Sequence, residues 1–437
     1  MIQQEYASRR QALTRKMVAG SAALFFAAPE VTRSRDSDYP FRQNSDFWYM
    51  TGFNEPQSLL VIIKSRENTN RCVLFNRVRC PSQEIWSERR LGQEAALEKL
   101  GVDSALPWDD TARQLPLLLS GLDIVYHAQG LYPFADDIVF SSLEQLRQGE
   151  RNNLQAPATL TDWRPIVHEM RLFKSAAELE IMREAGRISA RAHTRAMQCC
   201  RPDMYEYQLE AEIQHEFTYH GARFPAYSTI VGAGENGCIL HYTENSCRMQ
   251  AGEMVLVDAG CEYHGYAADI TRTFPVNGKF TVAQRALYDI VLASFYKALE
   301  LLRPGTTIRQ VNGHVIQIMV TMLQAIGLLK GDTDTLIAEG AVRQFYMHGL
   351  SHWLGLDVHD VSGFGAGQDR ILEPGMVITV EPGLYIAPDA KVPEAFRGIG
   401  IRIEDNIVIN ASGNDNLTDS VVKDPDAIEA LMAAASR

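Results

Sequence analysis

The sequence predicts two domains, an α/β domain over residues 1–172 and an α+β domain over residues 173–437. The chain of 437 residues is longer than a single hydrophobic core usually supports. Short strand-like and helical runs alternate in the first part, which is typical of an α/β domain. In the second part, strands follow one another across brief turns and the helices are grouped elsewhere, which favours an antiparallel sheet and the α+β class.

The first domain contains three apolar runs with the length of buried strands, at 58–64, 71–77 and 122–128. Helical spacing of apolar residues occurs at 92–100 and 138–148. We therefore expect a largely buried sheet with helices packed on it.

The second domain begins with a long amphipathic helix, after a polar, proline-bearing segment at 151–166. Ser175 and Glu178 have the spacing of a capping box, which places the start of this helix. Further helices are expected at about 205–220, 282–302 and 307–327, and strands at 254–260, 266–274, 376–386 and 398–409.

Composition limits the partners and the compartment. The chain has 42 basic and 54 acidic residues and a net charge of −12, which disfavours binding to nucleic acid or to an anionic membrane. We find no stretch of eighteen apolar residues and no apolar secretion segment, so no membrane partner is expected. The seven cysteines are odd in number and include no CxxC pair, which favours reduced thiols in the cytoplasm.

Acidic residues occur in the predicted strands where the apolar pattern expects none. Asp258 ends a continuous apolar run, and Asp269 follows it eleven residues later. The intervening turn at Cys261–Gly265 is short enough for a hairpin, which would bring the two carboxylates together. Glu381 ends another apolar run, and Glu404 lies on the polar face of an alternating one.

These four carboxylates would repel one another unless positive charge neutralised them. The sequence offers no matching cluster of Lys or Arg, so hard cations bound through oxygen are expected. Two divalent ions would balance four carboxylates, which favours two metals over one. The structural alternative is an internal salt-bridge network through Arg272 and Arg402.

Histidines add a nitrogen donor to this oxygen-rich set. His348 and His352 have the i, i+4 spacing of the metalloprotease helix motif, but Gly349 occupies the place of the glutamate base. A site with a single zinc ion of that type is therefore excluded. His359 follows within the same glycine-rich, apolar stretch, and His241 is a further candidate at the edge of an apolar run.

The strings VLVDAG, ADITRTF, HGLSHWLGLDVHD, VITVEPGLY and IRIEDNIVI resemble the signature of the pita-bread metallopeptidases. The likeness covers 174–437 and implies a pita-bread fold, an antiparallel sheet with helices on its outer face. It also implies that Asp269 and Glu404 bridge two metal ions. The full ligand set carried over by motif is Asp258, Asp269, His352, Glu381 and Glu404. Since all five positions are filled, the metal-free relative creatinase is disfavoured.

Within this family the first domain separates the members. Residues 35–53 and the junction MRLFKSAAELEIMR at 170–183 are similar to those of aminopeptidase P. Methionine aminopeptidases usually lack so large an extra domain, whereas prolidases carry a related one. The resemblance therefore implies an Xaa-Pro aminopeptidase acting on small peptides, with prolidase as the alternative. A binding module that has lost catalysis is a further alternative, although such proteins typically lose metal ligands.

The resemblance also implies a role for each remaining site residue. Two metal ions would lower the pKa of a bridging water, and the resulting hydroxide would attack the Xaa-Pro carbonyl. His359 is expected to stabilise the tetrahedral intermediate, His241 to orient the substrate or leaving nitrogen, and Glu381 to move the proton. The residues expected to line the proline pocket are His348, Tyr385 and Arg402.

The expected cofactor is a pair of divalent ions. Ligand type favours Mn²⁺, while Zn²⁺ or Co²⁺ would fit the same donors. In relatives the first domain shapes access to the site and mediates oligomerisation, so a homo-oligomer, dimer or tetramer, is expected.

Overall fold

The computed structural model describes residues 3–67, 69–363 and 365–435. The chain divides into two compact units, the first ending at Met170 and the second starting at Arg171. The boundary predicted from the sequence, between 172 and 173, lies two residues later. Each unit has its own hydrophobic core.

The first unit contains a six-stranded mixed sheet with the strand order β6-β5-β4-β1-β7-β8. Its strands are β1 (Ser21–Phe26), β2 (Thr32–Ser34), β3 (Ser37–Asp38), β4 (Leu59–Lys64), β5 (Asn70–Asn76), β6 (Ser104–Pro107), β7 (Ile124–His127) and β8 (Thr159–Thr161), of which β2 and β3 form a separate hairpin. Its helices are α1 (Gln3–Lys16), α2 (Ser45–Thr51), α3 (Pro81–Glu84), α4 (Gly92–Leu100), α5 (Thr111–Leu119), α6 (Pro133–Gln148) and α7 (Arg164–Leu172), the last crossing the division between the units.

Strand β1 shows why this sheet is buried on both faces. All six of its residues are buried. Leu24 faces the core formed with α5 and α6, whereas Phe25 on the opposite face packs against Trp163, with the ring centroids 4.6 Å apart. The Trp163 indole N–H donates to the Leu24 carbonyl at 2.9 Å, so this buried polar group is satisfied. The predicted buried sheet with flanking helices is present.

The helices of the second unit pack around one extensive core. They are α8 (Ala176–Cys199), α9 (Glu206–Tyr219), α10 (Val282–Leu301), α11 (Ile308–Ala325), α12 (Thr333–Ala338) and α13 (Pro425–Ala435). The predicted capping box at α8 is formed, because the Ser175 hydroxyl accepts from the Glu178 N–H at 3.3 Å and Glu178 Oε2 accepts from the Ser175 N–H at 2.9 Å. Thr281 and Thr307 start α10 and α11 by the same arrangement.

The strand pairs of the second unit are all antiparallel, which confirms the predicted α+β class. The strands are β9 (Phe224–Pro225), β10 (Ile230–Ala233), β11 (Met254–Asp258), β12 (Cys261–Tyr263), β13 (Tyr266–Ala267), β14 (Thr271–Pro275), β15 (Val377–Val380), β16 (Gly383–Ile386), β17 (Ile399–Arg402), β18 (Asp405–Asn410) and β19 (Gly413–Asn416). They form sheets with the orders β10-β11-β14, β13-β12-β9, β15-β18-β19 and β16-β17.

Two predicted strands are each divided in the structure. The run 376–386 is interrupted at Glu381 and Pro382, because proline has no N–H to continue a ladder. The run 398–409 is interrupted at 403–404, so its first half pairs with β16 and its second half with β15. Both interruptions leave an acidic side chain at a strand end.

The connection from Asp258 to Asp269 is also more elaborate than the predicted hairpin. β11 pairs with β14, and the small pair β12–β13 is inserted between them. At Gly260 the backbone passes close to the segment before β14, since a Cβ at this position would lie 1.8 Å from the Ala268 carbonyl oxygen. Only a residue without a side chain fits this crossing.

Within the described part of the chain, no helix combines the length and the apolar character that crossing a membrane requires.

Candidate metal centre

A cavity of about 540 Å³ in the second unit collects the predicted site residues. The sequence-predicted residues that line it are His241, Asp258, Asp269, His348, His352, His359, Glu381, Arg402 and Glu404. These residues span more than 160 positions of the sequence. Folding brings them together because the ends of β11, β15 and β17 and the loop before β14 all lie at this cavity.

Tyr227, which the sequence analysis did not single out, links the two aspartates. Its hydroxyl lies 2.6 Å from Asp258 Oδ1 and 2.7 Å from Asp269 Oδ1. A tyrosine hydroxyl has one proton, so it donates to one carboxylate at a time and holds both within reach. No local pattern could have revealed this residue, because it is 31 and 42 positions away from its partners.

His352 presents one nitrogen to the carboxylates. Its Nδ1 lies 2.9 Å from the Trp353 carbonyl oxygen, which requires the proton on Nδ1. Its Nε2 lies 3.3 Å from both Asp269 Oδ2 and Glu381 Oε1. Ligand atoms of Asp269, His352 and Glu404 all lie within 4.8 Å of one another. This fixed tautomer, with Nε2 directed at carboxylates, is the arrangement found in metal-ligating histidines.

Glu404 is held by the strand beside it. Thr271 Oγ1 donates to Glu404 Oε2 at 2.6 Å, and the two residues form an isolated antiparallel bridge. The fully buried Arg272 donates to the Glu404 carbonyl oxygen at 2.7 Å and pairs with Asp405 at 2.7 Å. Arg272 therefore supports the backbone under the site and does not neutralise the carboxylate cluster.

Arg402 is the one guanidinium among the described residues that line the cavity. It pairs with Asp258 Oδ2 at 2.7 Å, and its Nε donates to Thr271 at 3.1 Å. Four carboxylates thus face a single arginine. The alternative of an internal salt-bridge network accounts for Asp258 alone.

Burial and, after it, the neighbouring negative charges raise the pKa values of two of the carboxyl groups. Burial, followed by the charge of Asp269, raises the pKa of Glu381 to about 7, against the lowering effect of His352. Burial and the charges of Asp269 and Glu381 raise the pKa of Glu404 well above its ordinary value. Burial lowers the pKa of His352, but its hydrogen bond with Asp269 and the charge of Glu381 raise the pKa to about 9.

These groups fit divalent cations. Buried carboxylates without compensation are costly, and cations would remove that cost. The donor set of carboxylate oxygens and one imidazole nitrogen is the type that hard or borderline divalent ions prefer.

Three further histidines, His241, His348 and His359, line the same cavity. Burial and the charge of Arg402 lower the pKa of His348 to about 4. Burial and the neighbouring His352 lower the pKa of His359, and these two rings lie edge to face with centroids 4.5 Å apart. His241 also lines the cavity and is exposed.

Tyr385 lies behind the cavity wall and is 2% exposed. Its hydroxyl accepts from Arg402 at 2.8 Å and lies 2.8 Å from His348 Nε2. Since His348 Nδ1 faces the Gly349 carbonyl oxygen at 2.8 Å, Nε2 is the acceptor. The hydrogen-bonded chain Arg402–Tyr385–His348 therefore orients two residues of the wall.

A buried ion cluster anchors the segment 357–360, which contains His359. The Asp360 carboxylate pairs with Arg171 and, at 3.1 Å, with Lys174, and all three side chains are at most 3% exposed. Arg171 also pairs with Asp357 at 2.9 Å. These contacts hold the chain on either side of His359.

The fold and the donor set define a metal-dependent peptidase. The model of metallopeptidase family M24 matches residues 180–411, and that of the aminopeptidase P, N-terminal domain, matches residues 6–126. The chain belongs to metallopeptidase family M24, and the predicted pita-bread domain and likeness to aminopeptidase P are confirmed.

Close relatives span the whole chain. Xaa-Pro aminopeptidase of Escherichia coli (strain K12) is 67% identical over 434 residues, covering 99% of this chain and 98% of that protein. Proline aminopeptidase P II from Yersinia pestis is 68% identical with a TM-score of 0.98, covering 99% of this chain and all of that one. Zn-substituted E. coli aminopeptidase P in complex with product has a TM-score of 0.99 at 67% identity. The match covers 100% of this chain and 99% of that one.

Proposed function

We propose that this chain is an Xaa-Pro aminopeptidase, which releases the first residue from peptides with proline in second position. The observation that carries the proposal is the single cavity that brings together four carboxylates and four histidines. The relatives named Xaa-Pro aminopeptidase match this chain over nearly their full length, and they support this substrate class over prolidase.

We propose that Asp258, Asp269, His352, Glu381 and Glu404 hold two divalent ions. Eight carboxylate oxygens and one imidazole nitrogen supply enough donors for two ions, and two ions would balance the four carboxylates. Mn²⁺ suits this oxygen-rich set, and Zn²⁺ or Co²⁺ would bind the same donors. When bound, such ions act as Lewis acids that lower the pKa of a coordinated water and polarise the scissile carbonyl.

The substrate bond explains the need for a dedicated site. The Xaa-Pro bond is a tertiary amide without an N–H, so recognition must come from the carbonyl and the ring. We assign to His359, which lines the cavity and has a lowered pKa, the role of donating to the carbonyl oxygen as negative charge develops there. We assign to His241, another residue of the cavity lining, the role of orienting the substrate or the leaving nitrogen.

Glu381 is the proposed proton carrier. One of its oxygens lies 3.3 Å from His352 Nε2, and the other lies 3.7 Å from His348 Nδ1. Glu381 would therefore be one of the residues that hold the ions, and its carboxylate is the group to which we assign the proton taken from water. His348 and Arg402, with Tyr385 behind them, form the adjoining wall, which we assign to proline and the residue after it.

We propose that the first domain, residues 1–172, shapes access for small peptides and forms homo-oligomer contacts. The match of residues 6–126 to the aminopeptidase P, N-terminal domain, supports this division of roles. Light scattering coupled to size exclusion would test the assembly. A cytoplasmic location remains a prediction from the cysteine pattern.

The test compares three peptides with the Mn²⁺-supplied enzyme: Xaa-Pro, Xaa-Pro-Yaa and Xaa-Ala-Yaa. We expect faster release of Xaa from Xaa-Pro-Yaa than from the dipeptide, and little release from Xaa-Ala-Yaa. A strict preference for the dipeptide would make the enzyme a prolidase. Glu404→Ala serves as the control, since it should lose bound metal and activity together; full turnover by this variant would refute the ligand assignment.

A further inference from the structure

The segment 233–247 forms part of one wall of the cavity and contains no strand after Ala233, the last residue of β10, and no long helix. It contains one 3-10 turn, Gly234–Cys238, and then runs irregularly to Cys247. Leu240, His241 and Thr243 of this segment line the cavity. Within the part of the chain that the structure describes, the His241 imidazole makes no hydrogen bond. Its position is therefore set by the backbone of the segment.

Glu206 holds the backbone of this segment through hydrogen bonds to its carboxylate. It is the first residue of α9 and is fully buried. Its Oε1 accepts from the Ala233 N–H at 2.9 Å and from Asn236 Nδ2 at 3.0 Å. Its Oε2 accepts from the Tyr242 hydroxyl at 2.8 Å and from the Cys247 N–H at 2.8 Å.

One carboxylate thus receives four donors spread along the segment, before and after His241. Hydrogen bonds to a charged acceptor are about twice as strong as neutral ones, and a buried carboxylate with fewer donors would be costly. The Tyr242 ring is 6% exposed and packs in an apolar cluster with Ile230 and Tyr385, so its hydroxyl has a fixed direction.

Glu210, one turn further along α9, adds a second attachment. Its Oε2 accepts from Asn245 Nδ2 at 2.9 Å, and Asn245 Oδ1 in turn accepts from the Val231 N–H at 3.0 Å. Asn245 has a positive φ of 47°, a conformation that asparagine tolerates better than most residues. The same face of α9 therefore fixes the end of the segment.

We propose that Glu206 is a positioning residue for the reaction, which acts by holding His241 at the scissile bond. The proposal rests on the proposed function, because it requires that His241 take part in turnover. Glu206 lies outside the metal ligand set and touches none of its members in the contacts described above.

The experiment measures kcat, KM and bound Mn²⁺ for Glu206→Gln with an Xaa-Pro-Yaa peptide. Glutamine keeps the size of the side chain, but its NH₂ group would face N–H and O–H donors. We expect kcat to fall by about tenfold to hundredfold, since small misplacements of a catalytic group have effects of this size. KM should change less than kcat, and metal content should stay at the level of the unmodified enzyme.

A double-mutant cycle separates positioning from general destabilisation. If Glu206 acts through His241, Glu206→Gln should reduce kcat by less than about twofold in a His241→Ala background. Glu216→Gln is the matched control, because this carboxylate lies on the same helix and pairs with His220 and Arg195, away from the segment. It should retain full kcat.

If Glu206→Gln does not fold, Tyr242→Phe removes one of the four donors and should give a smaller loss of kcat that also disappears with His241→Ala. Full kcat in Glu206→Gln, equal losses with and without His241, or loss of metal would each overturn the inference. Full kcat in His241→Ala would instead overturn the role of His241 in the proposed function.

Discussion

Replacing Asp360 by asparagine would break the buried ion cluster beneath the histidine segment. The Asp360 and Lys174 side chains are each 1% exposed, so the variant leaves the Lys174 ammonium buried without its carboxylate. Arg171 keeps Asp357 as a partner. Breaking a buried pair by removing one partner typically costs about 3–5 kcal/mol, because the remaining charge stays desolvated.

This cost can be measured as a change in melting temperature. For a unit of this size each kcal/mol corresponds to about 2–4 °C, so we expect the second unit of Asp360→Asn to melt about 6–20 °C lower. Differential scanning calorimetry at a fixed Mn²⁺ concentration is the suitable assay, since it resolves the two units if they melt separately.

Two variants make the Asp360 test specific. Asp369→Asn removes an exposed carboxylate that pairs with Arg309, and exposed pairs contribute little to stability, so its melting temperature should hardly move. Adding Lys174→Met to Asp360→Asn removes the unpaired ammonium and should recover much of the loss. If Asp360→Asn melts within about 2 °C of the unmodified protein, the cluster does not anchor the segment and the reasoning is refuted.

The remaining predictions concern the metal centre and pH. Tyr227→Phe removes the hydroxyl between Asp258 and Asp269 and should weaken Mn²⁺ binding about tenfold to hundredfold in a metal titration; unchanged affinity would show that the hydroxyl does not organise the ligands. His359→Ala should lower kcat by about a hundredfold to a thousandfold with metal content near normal, and an empty site would contradict its assigned role. Burial would raise the pKa of Asp360, but its two cationic partners hold the pKa below its usual value. Its stabilisation is therefore present above pH about 4 and lost as pH falls further, so the melting difference between Asp360→Asn and the unmodified protein should shrink in acid.

Apolar patterning predicted most of the fold, because buried strands and capped helices have characteristic patterns in the local sequence. The predicted helix at 282–302 corresponds to Val282–Leu301, and the predicted strand at 58–64 to Leu59–Lys64. Strand ends inside apolar runs were harder to place. Pro382 interrupts a run that is apolar on both sides, and the pattern does not show that each half belongs to a different sheet.

The metal centre was predicted from acids that violate an apolar pattern, and such violations are visible in a sequence. Supporting residues do not violate any pattern. Tyr227 and Glu206 look like ordinary residues of a loop and of a helix start, and their roles arise from partners brought close only by folding. Tyr385 was expected in the wall, but its hydroxyl is taken up by Arg402 and His348, which places it behind the wall.

Gly260 has a consequence for redesign of the metal centre. A library that varies the ligands can change which ion is preferred, but the spacing between the two aspartates depends on a crossing where the backbone itself fills the space. Any side chain at Gly260 would push its segment away from Ala268 and so separate the carboxylates of Asp258 and Asp269. No substitution of the ligands themselves could restore that spacing. In a saturation screen for altered metal preference, position 260 should therefore tolerate glycine alone, while the ligand positions around it can be explored.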